Sequence, residues 1–423
     1  MRVKADLCSS ALILGFLVIP AFAQTALTWA ELKGKFEAKN PTLKAAKDNI
    51  DESRAEEVTA YLRPNPDFTM TVDGTQIAPH QGVWQPFGGT FYSPGVSYLH
   101  ERQHKRELRL QSAKQTTDVT ISQYADQERN LIFTLRNAFV GTLQAKAVLV
   151  NAKENLDYWD HELLVNRDRF KAGDIAEVDL DRLELQRVEF ESDYQTALVN
   201  LRTSKIQLLQ LLNDRTPIEN FDVTGPFEFT AELKPLEIFR ETALETRPDL
   251  KAAVQSMDLA KTNYRLAVAN GSTDPTFGVW WTHNGSFNNP NAFNTLGVSV
   301  SIPLRIFDRN QGEKSRTRTD IGRSQELRDA AAAQVLSDVD SAYATLQSTL
   351  NLLNPYREKY LPLALAVRDK VAFSFQRGGA SLLDLLDAEK SYRDTHLAYI
   401  NLVGSYFTAA AQMDMAVGRE VLE

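Results

Sequence analysis

"SLLDLLDAEKSYRDTHLAY", residues 381–399, has an earlier counterpart in "EVDLDRLELQRVEFESDYQ", residues 177–195, and Asp179 stands 205 positions before Asp384. In the later stretch a seam runs Leu385, Ala388, Tyr392, Thr395, Tyr399, Leu402, Tyr406, Ala409. Moved back by 205 it reads Leu180, Leu183, Arg187, Phe190, Tyr194, Ala197, Leu201, Ser204. Steps of three and four sustained over about four heptads predict long helices packed in coiled-coil fashion. The small and polar members of the seam favour a wide wall of helices over a two-stranded rod. Asp384 and Asp387 lie one turn apart, about 100° around the helix from the seam centre. Carboxylates that close repel one another and lose hydration when buried, so their position needs a reason.

The echo extends along the chain. "NPTLKAA" at Asn40 returns as "RPDLKAA" at Arg247, and "NPDFTMTVDG" at Asn65 as "DPTFGVWWTHNG" at Asp274. "PGVSYL" at Pro94 returns as "LGVSVSI" at Leu296, and "RFKAGD" at Arg169 as "SFQRGG" at Ser374. The offsets are 207, 209, 202 and 205, so the order is kept and the insertions fall in loops. A duplicated unit of roughly 200 residues is the expected organisation. Its parts are repeat 1 over residues 24–212, a linker over 213–234, repeat 2 over 235–418 and a short tail over 419–423.

Each half reads helix, two strands, two helices. The first helix opens on a capping box, Thr28-x-x-Glu31, and Pro41 interrupts it as Pro248 does in the second half. The strands alternate: Phe68, Met70 and Val72 against Thr69, Thr71 and Asp73, then Leu296, Val298, Val300 and Ile302 against Thr295, Gly297, Ser299 and Ser301. Period two gives one apolar and one polar face. The aromatic loop residues Trp84, Phe87, Phe91, Tyr92, Trp281, Phe287 and Phe293 fit an interfacial belt around barrel staves, with plain hairpins on a soluble core as the alternative. From Arg102 to Phe170 the only strong helix breaker is Gly141. Nearly 70 helical residues would span about 100 Å. The matching stretch from Asp308 to Phe375 carries Pro355 and Pro362, which are expected to kink it.

The N-terminus reads as a secretory leader over residues 1–23: basic "MRVK", apolar "ALILGFLVIPAF", then Ala21-Phe22-Ala23 as a cleavage site. Cys8 precedes the apolar run, so no lipid anchor and no disulfide are expected. No other stretch is long and apolar enough for a transmembrane helix. A formal net charge of −8 argues against nucleic acid as a partner. A mean hydropathy of −0.32 suits alternating strands with polar helices. No phosphate-binding loop, nucleophile elbow or H-E-x-x-H is present. His100 and His104 lie at a strand–helix junction, where a solvated pair is expected in preference to a chelating one. No catalytic, cofactor-binding or metal-binding residue is assigned, and an enzyme is not expected.

"IPLRIFDRNQGEKSRTR" (302–318), "RFKAGDIAEVDLDRLELQ" (169–186) and "FQRGGASLLDLLDAEKSYRDTHLAY" (375–399) together resemble the TolC-like outer-membrane efflux proteins, in particular their CzcC-like branch. The resemblance follows the internal repeat across the mature chain. It implies a mainly α protein with a small β part: a homotrimer whose chains each give four strands to one twelve-stranded transmembrane barrel, and long helices to a periplasmic coiled-coil barrel. The residues agree, because four strands cannot close a barrel and unpaired edges in lipid are costly.

The resemblance also implies outer-membrane localisation. The implied partners are outer-membrane lipid, a periplasmic adaptor (membrane fusion) protein and an inner-membrane pump of the RND type. By the same resemblance Asp384, Asp387 and Asp179 match acids that ring the pore constriction. Gly173, Gly378, Arg169 and Arg377 fall at the tips where an adaptor docks. Phe375 and Ala380 stand where the best-known member has a gating tyrosine and arginine, so that latch is expected to be missing. The expected function is the passive duct of a tripartite efflux system. The alternative is a secreted periplasmic coiled-coil structural or adaptor protein without a barrel.

Overall fold

Thr28 starts the first helix as its capping box predicts: its hydroxyl accepts from the Glu31 N–H, and the Glu31 carboxylate accepts from the Thr28 N–H. The computed structural model describes residues 26–229, 233–283 and 292–421. The expected leader with Cys8, and the loop residue Phe287, lie outside the described residues.

Helix α1 (Trp29–Lys39) ends at Asn40, and α2 (Pro41–Tyr61) begins at once, with the Asn40 side chain accepting from the N–H groups of Thr42 and Leu43 at 2.9 and 3.1 Å. Proline is tolerated at a first helical position because that N–H has no partner in any case. The strands β1 (Asp67–Asp73) and β2 (Phe91–Leu99) follow, then the long helices α3 (Lys105–Ala172) and α4 (Glu177–Leu211). The second half repeats the order with α5 (Leu236–Thr246), α6 (Pro248–Asn270), β3 (Thr276–His283) and β4 (Asn294–Ser301). It continues through α7 (Gln311–Pro355), α8 (Leu361–Gln376) and α9 (Leu382–Val417). The linker turns back on the start of the chain: Leu27 N–H bonds Asp222 O, and Thr224 N–H bonds Leu27 O, each at 2.9 Å.

Helix α3 has 68 residues, about 100 Å, and runs unbroken through Gly141. Its counterpart is interrupted as expected, but in a particular form. Tyr356–Tyr360 is a π-helical segment between α7 and α8, bounded by Pro355 and Pro362. Pro362 lacks an N–H for the helical ladder, and the wider π turn carries the chain past it without ending the helix.

So long a bundle cannot gather one central core. Among the described residues the apolar side chains form three clusters along the length. One centres on Leu32, Phe36, Leu135, Phe139 and Leu208. A second centres on Phe239, Val339, Leu346, Tyr406 and Met413. The third lies under the helical turns, around Trp159, Leu163, Leu183, Phe190, Phe375, Leu382 and Leu385. The seams read from the heptads are the buried faces of α4 and α9: every residue of both is buried or half-buried.

Where sheet meets helices, both long helices start on a left-handed residue, His104 (φ 54°) before α3 and Asn310 (φ 60°) before α7. His100 and His104 are thus separated by an irregular junction and do not share a helical face. Lys105 is buried there, its ammonium bonded to Asp274 at 2.5 Å and to Ser272 O at 3.1 Å. Asp274 also accepts from the Arg102 N–H at 2.9 Å, which ties the strand-to-helix corner of one half to the helix-to-strand corner of the other. Removing Asp274 would leave the buried Lys105 charge without a counter-ion, held only by the Ser272 carbonyl.

Candidate functional site: an apolar sheet face and two helical tips

The four strands form one antiparallel sheet in the order β1-β2-β3-β4, so two hairpins of different repeats pair through β2 and β3. The register sets Phe68 opposite Val96, Val96 opposite Val279, and Val279 opposite Val298. In the next rows Met70 meets Pro94, Tyr98 meets Phe277 and Phe277 meets Val300. Side chains alternate along a strand, so these residues share one face. Among the described residues no helix covers it: Phe68 is 72% exposed, Leu296 76% and Val298 74%. The opposite face carries Thr69, Thr71, Ser93, Ser97, Thr282, Thr295 and Ser299, with Ser93 and Thr282 hydroxyls 2.8 Å apart. Phe91, Leu99 and Trp280 are the large apolar residues on that side, and the Trp280 indole lies against Gly297, where a Cβ would meet the ring at 2.2 Å. Among the described residues no helix is long and apolar enough to cross a membrane.

At the far end each half closes a helical hairpin with the same turn. Gly173 (φ 82°) donates to Phe170 O at 3.0 Å, and Asp174 donates to Arg169 O at 2.9 Å. Gly378 (φ 76°) donates to Phe375 O at 3.0 Å, and Gly379 donates to Ser374 O at 2.8 Å. This paired closure satisfies carbonyls left over at a helix end and needs a left-handed residue, hence glycine. No atom lies within 4 Å of a Cβ built at either glycine, so backbone conformation, not space, demands the residue.

The predicted acids take equivalent places and differ in their partners. Asp384 is the third residue of α9 and completes a capping box, accepting from the Ser381 N–H at 2.9 Å and its hydroxyl at 2.7 Å. Those bonds hold the exposed carboxyl below its ordinary range. Asp179 is third in α4, but Ala176 stands at the cap and makes no side-chain bond, so Asp179 faces Arg182 at 3.8 Å. Asp387 is exposed. In a single protomer the local account of Asp384 is helix capping, which leaves its carboxylate at the surface of the tip. Arg169 lies over the Phe375 ring at 5.2 Å, and Arg377 lies over Phe373 at 4.0 Å. Phe375 is buried in the cluster beneath the tips.

Sequence reasoning missed Glu162 and Glu389, each only 5% exposed, on the mutually facing sides of α3 and α9. Burial pushes both carboxyls above their usual range. Tyr158 shares a hydrogen bond with Glu389, and Arg368 stacks over Tyr158 and Tyr392 at 5.7 and 4.3 Å. The available signal was weak, namely that Glu389 directly follows the seam residue Ala388.

Residues 240–419 match the Outer membrane efflux protein family, OEP. This stretch is an outer membrane efflux protein domain. Beyond it, the chain is 21% identical over 408 residues to the cobalt-zinc-cadmium resistance protein CzcC of Cupriavidus metallidurans, covering 96% of this chain and 94% of that one. It is 23% identical to the outer membrane protein TolC of Vibrio cholerae over 337 residues, covering 77% and 76% of the two chains. Among solved structures, a transmembrane channel protein, CusC, superposes with a TM-score of 0.78 at 17% identity, covering 92% of each chain. The fold is that of the TolC-like outer-membrane efflux channels, and the match to CzcC runs across both repeats.

Proposed function

We propose that the protein is the outer-membrane duct of a tripartite efflux system, a passive conduit completed only as a homotrimer. The observation that carries this reading is the sheet. It exposes a continuous apolar face and, among the described residues, has two unpaired edges, β1 and β4. Exposed edges and an uncovered apolar face are liabilities for a soluble monomer. Three copies joined β4 to β1 would pair every edge, turn the apolar face to outer-membrane lipid and give a barrel of about twelve strands lined by the polar face. The helices would then form a periplasmic tube. An inner-membrane pump of the RND type and a periplasmic adaptor would supply the energy and the cargo.

In this arrangement the tips at Gly173, Gly378, Arg169 and Arg377 meet the adaptor, and Asp384, Asp387 and Asp179 from three chains converge at the constriction. A ring of carboxylates favours cations there. Repeat 1 (24–212) and repeat 2 (235–418) each supply one tip and two strands. A secreted coiled-coil protein without a barrel would have no use for the apolar sheet face.

The test is extraction and sizing. The protein should leave the outer-membrane fraction only with detergent and run as a heat-modifiable trimer. A monodisperse monomer in detergent-free buffer would end the proposal.

A further inference from the structure

The hairpin of α8 and α9 docks on α3 through a buried acid pair. Glu389 of α9 and Glu162 of α3 are each 5% exposed. From α3 the groups facing them are Tyr158, His161 and Arg169, and from α8 they are Arg368, Asp369 and Gln376. Helix α4 closes the site with Leu183 and Phe190, its Arg187 being held by Asp160 at 2.5 Å and Glu191 at 2.7 Å. Gln376 bonds Glu162 and Tyr158 bonds Glu389, yet Glu389 Oε1 has no hydrogen-bond partner. A second feature makes this contact mechanical. Helix α8 joins α7 through the π segment, where the ladder is wide and the bounding Pro355 and Pro362 each lack an N–H. In α3 no such interruption occurs, so among the described residues the α8–α9 hairpin has a hinge in its α8 arm while α9 runs unbroken, and the α3–α4 hairpin has none.

We propose that protonation of the Glu162–Glu389 pair sets how firmly the α8–α9 hairpin is clamped to α3, tight in acid and looser towards neutral pH. The sign follows from burial. Desolvation is the largest influence on both acids and raises both. For Glu389, Arg368 and the Tyr158 bond oppose it while Glu162 and Asp369 add to it; for Glu162, His161, Gln376 and Arg169 oppose it. The net direction is upward for each, from an ordinary 4.5. A hairpin swung away from α3 exposes the acids to water and returns them to that ordinary value. Between the ordinary and the raised values the docked form therefore binds more protons than the loosened one. Docking weakens as pH rises across that window and is constant on either side of it. The protonated Glu389 also contributes an O–H donor in a site where its ionised form leaves a buried oxygen unpaired. This packing lies within one protomer and holds independently of what the duct conveys.

The test is hydrogen exchange of the full-length protein in detergent at pH 5 and pH 8, corrected for intrinsic rates, followed in peptides from residues 368–392. Protection should be higher at pH 5, by about tenfold per acid for each pK unit of upward displacement. Peptides from 130–145 in α3, away from the hinge, should show no such change. The isosteric double variant Glu162→Gln, Glu389→Gln should be protected alike at both pH values. Tyr158→Phe, which removes the donor to ionised Glu389, should move the transition to higher pH. Equal protection of the wild type at both pH values would overturn the proposal. So would a double variant that keeps the wild-type pH dependence, or, if that variant does not assemble, a transition unmoved by Tyr158→Phe.

Discussion

Gly378→Val isolates what the helical tip contributes. Gly378 has φ 76°, and no atom lies within 4 Å of an added Cβ, so the substitution introduces backbone strain without a collision. For an L-residue the left-handed region costs about 1–2 kcal/mol, and a β-branched side chain sits at the upper end. Relief requires giving up the bonds from Gly378 to Phe375 O and from Gly379 to Ser374 O, which close α8. A penalty of about 1–2 kcal/mol is a factor of about 5–30 in a local equilibrium. Exchange of the amides of residues 378–384 should accelerate by about that factor, with trimer yield and outer-membrane insertion unchanged. Export should fall in a strain where this duct limits flux, because the tip is the proposed adaptor contact. Gly378→Asn should be close to wild type, since asparagine tolerates the left-handed region. If valine leaves both exchange and export untouched, the turn is not under conformational demand and the docking assignment fails.

The two faces of the sheet should answer differently to charge. Val298→Arg on the apolar face should block insertion, at about 2–4 kcal/mol for arginine in mid-bilayer, whereas its neighbour Ser299→Arg should insert and alter conductance. Heat-modifiable trimer in membranes measures both. At the tip, Asp384→Asn with Asp387→Asn should relieve block of single-channel current by multivalent cations in about the micromolar range. Asparagine can still accept from the Ser381 N–H, so an unchanged block would leave Asp384 as a helix cap and Asp387 as a solvated surface acid. Trp159→Ala removes the largest fully buried side chain, stacked on Phe190 at 5.3 Å, and should cost about 3–5 kcal/mol, read as a lower unfolding temperature of the helical part.

How much of this was written in the one-dimensional pattern depends on the range of the interaction that decides it. The capping box at Thr28, the helix break at Pro41, the glycine turns at Gly173 and Gly378 and the alternation of Phe68, Met70 and Val72 are local. Each follows from backbone geometry or a period within about a dozen residues, and each stands where its residues placed it. The order of helices and strands in each half was legible for the same reason, because like sequences fold by like local rules.

What the sequence alone left open was long-range. Pairing of β2 with β3 joins strands about 180 residues apart, and only that register turns two amphipathic hairpins into one continuous apolar face. Pro355 and Pro362 announced a disturbance, yet not that it would be a π segment with α7 and α8 both packed on α9 instead of a break. Asp384 looked like half of an acid pair; a serine three residues earlier, absent at Ala176, made it a cap and left Asp179 without one. Glu162 and Glu389 read as ordinary charges on two helices. They became a buried pair because helices distant in sequence brought them face to face, and burial is a property that no single stretch of chain can specify.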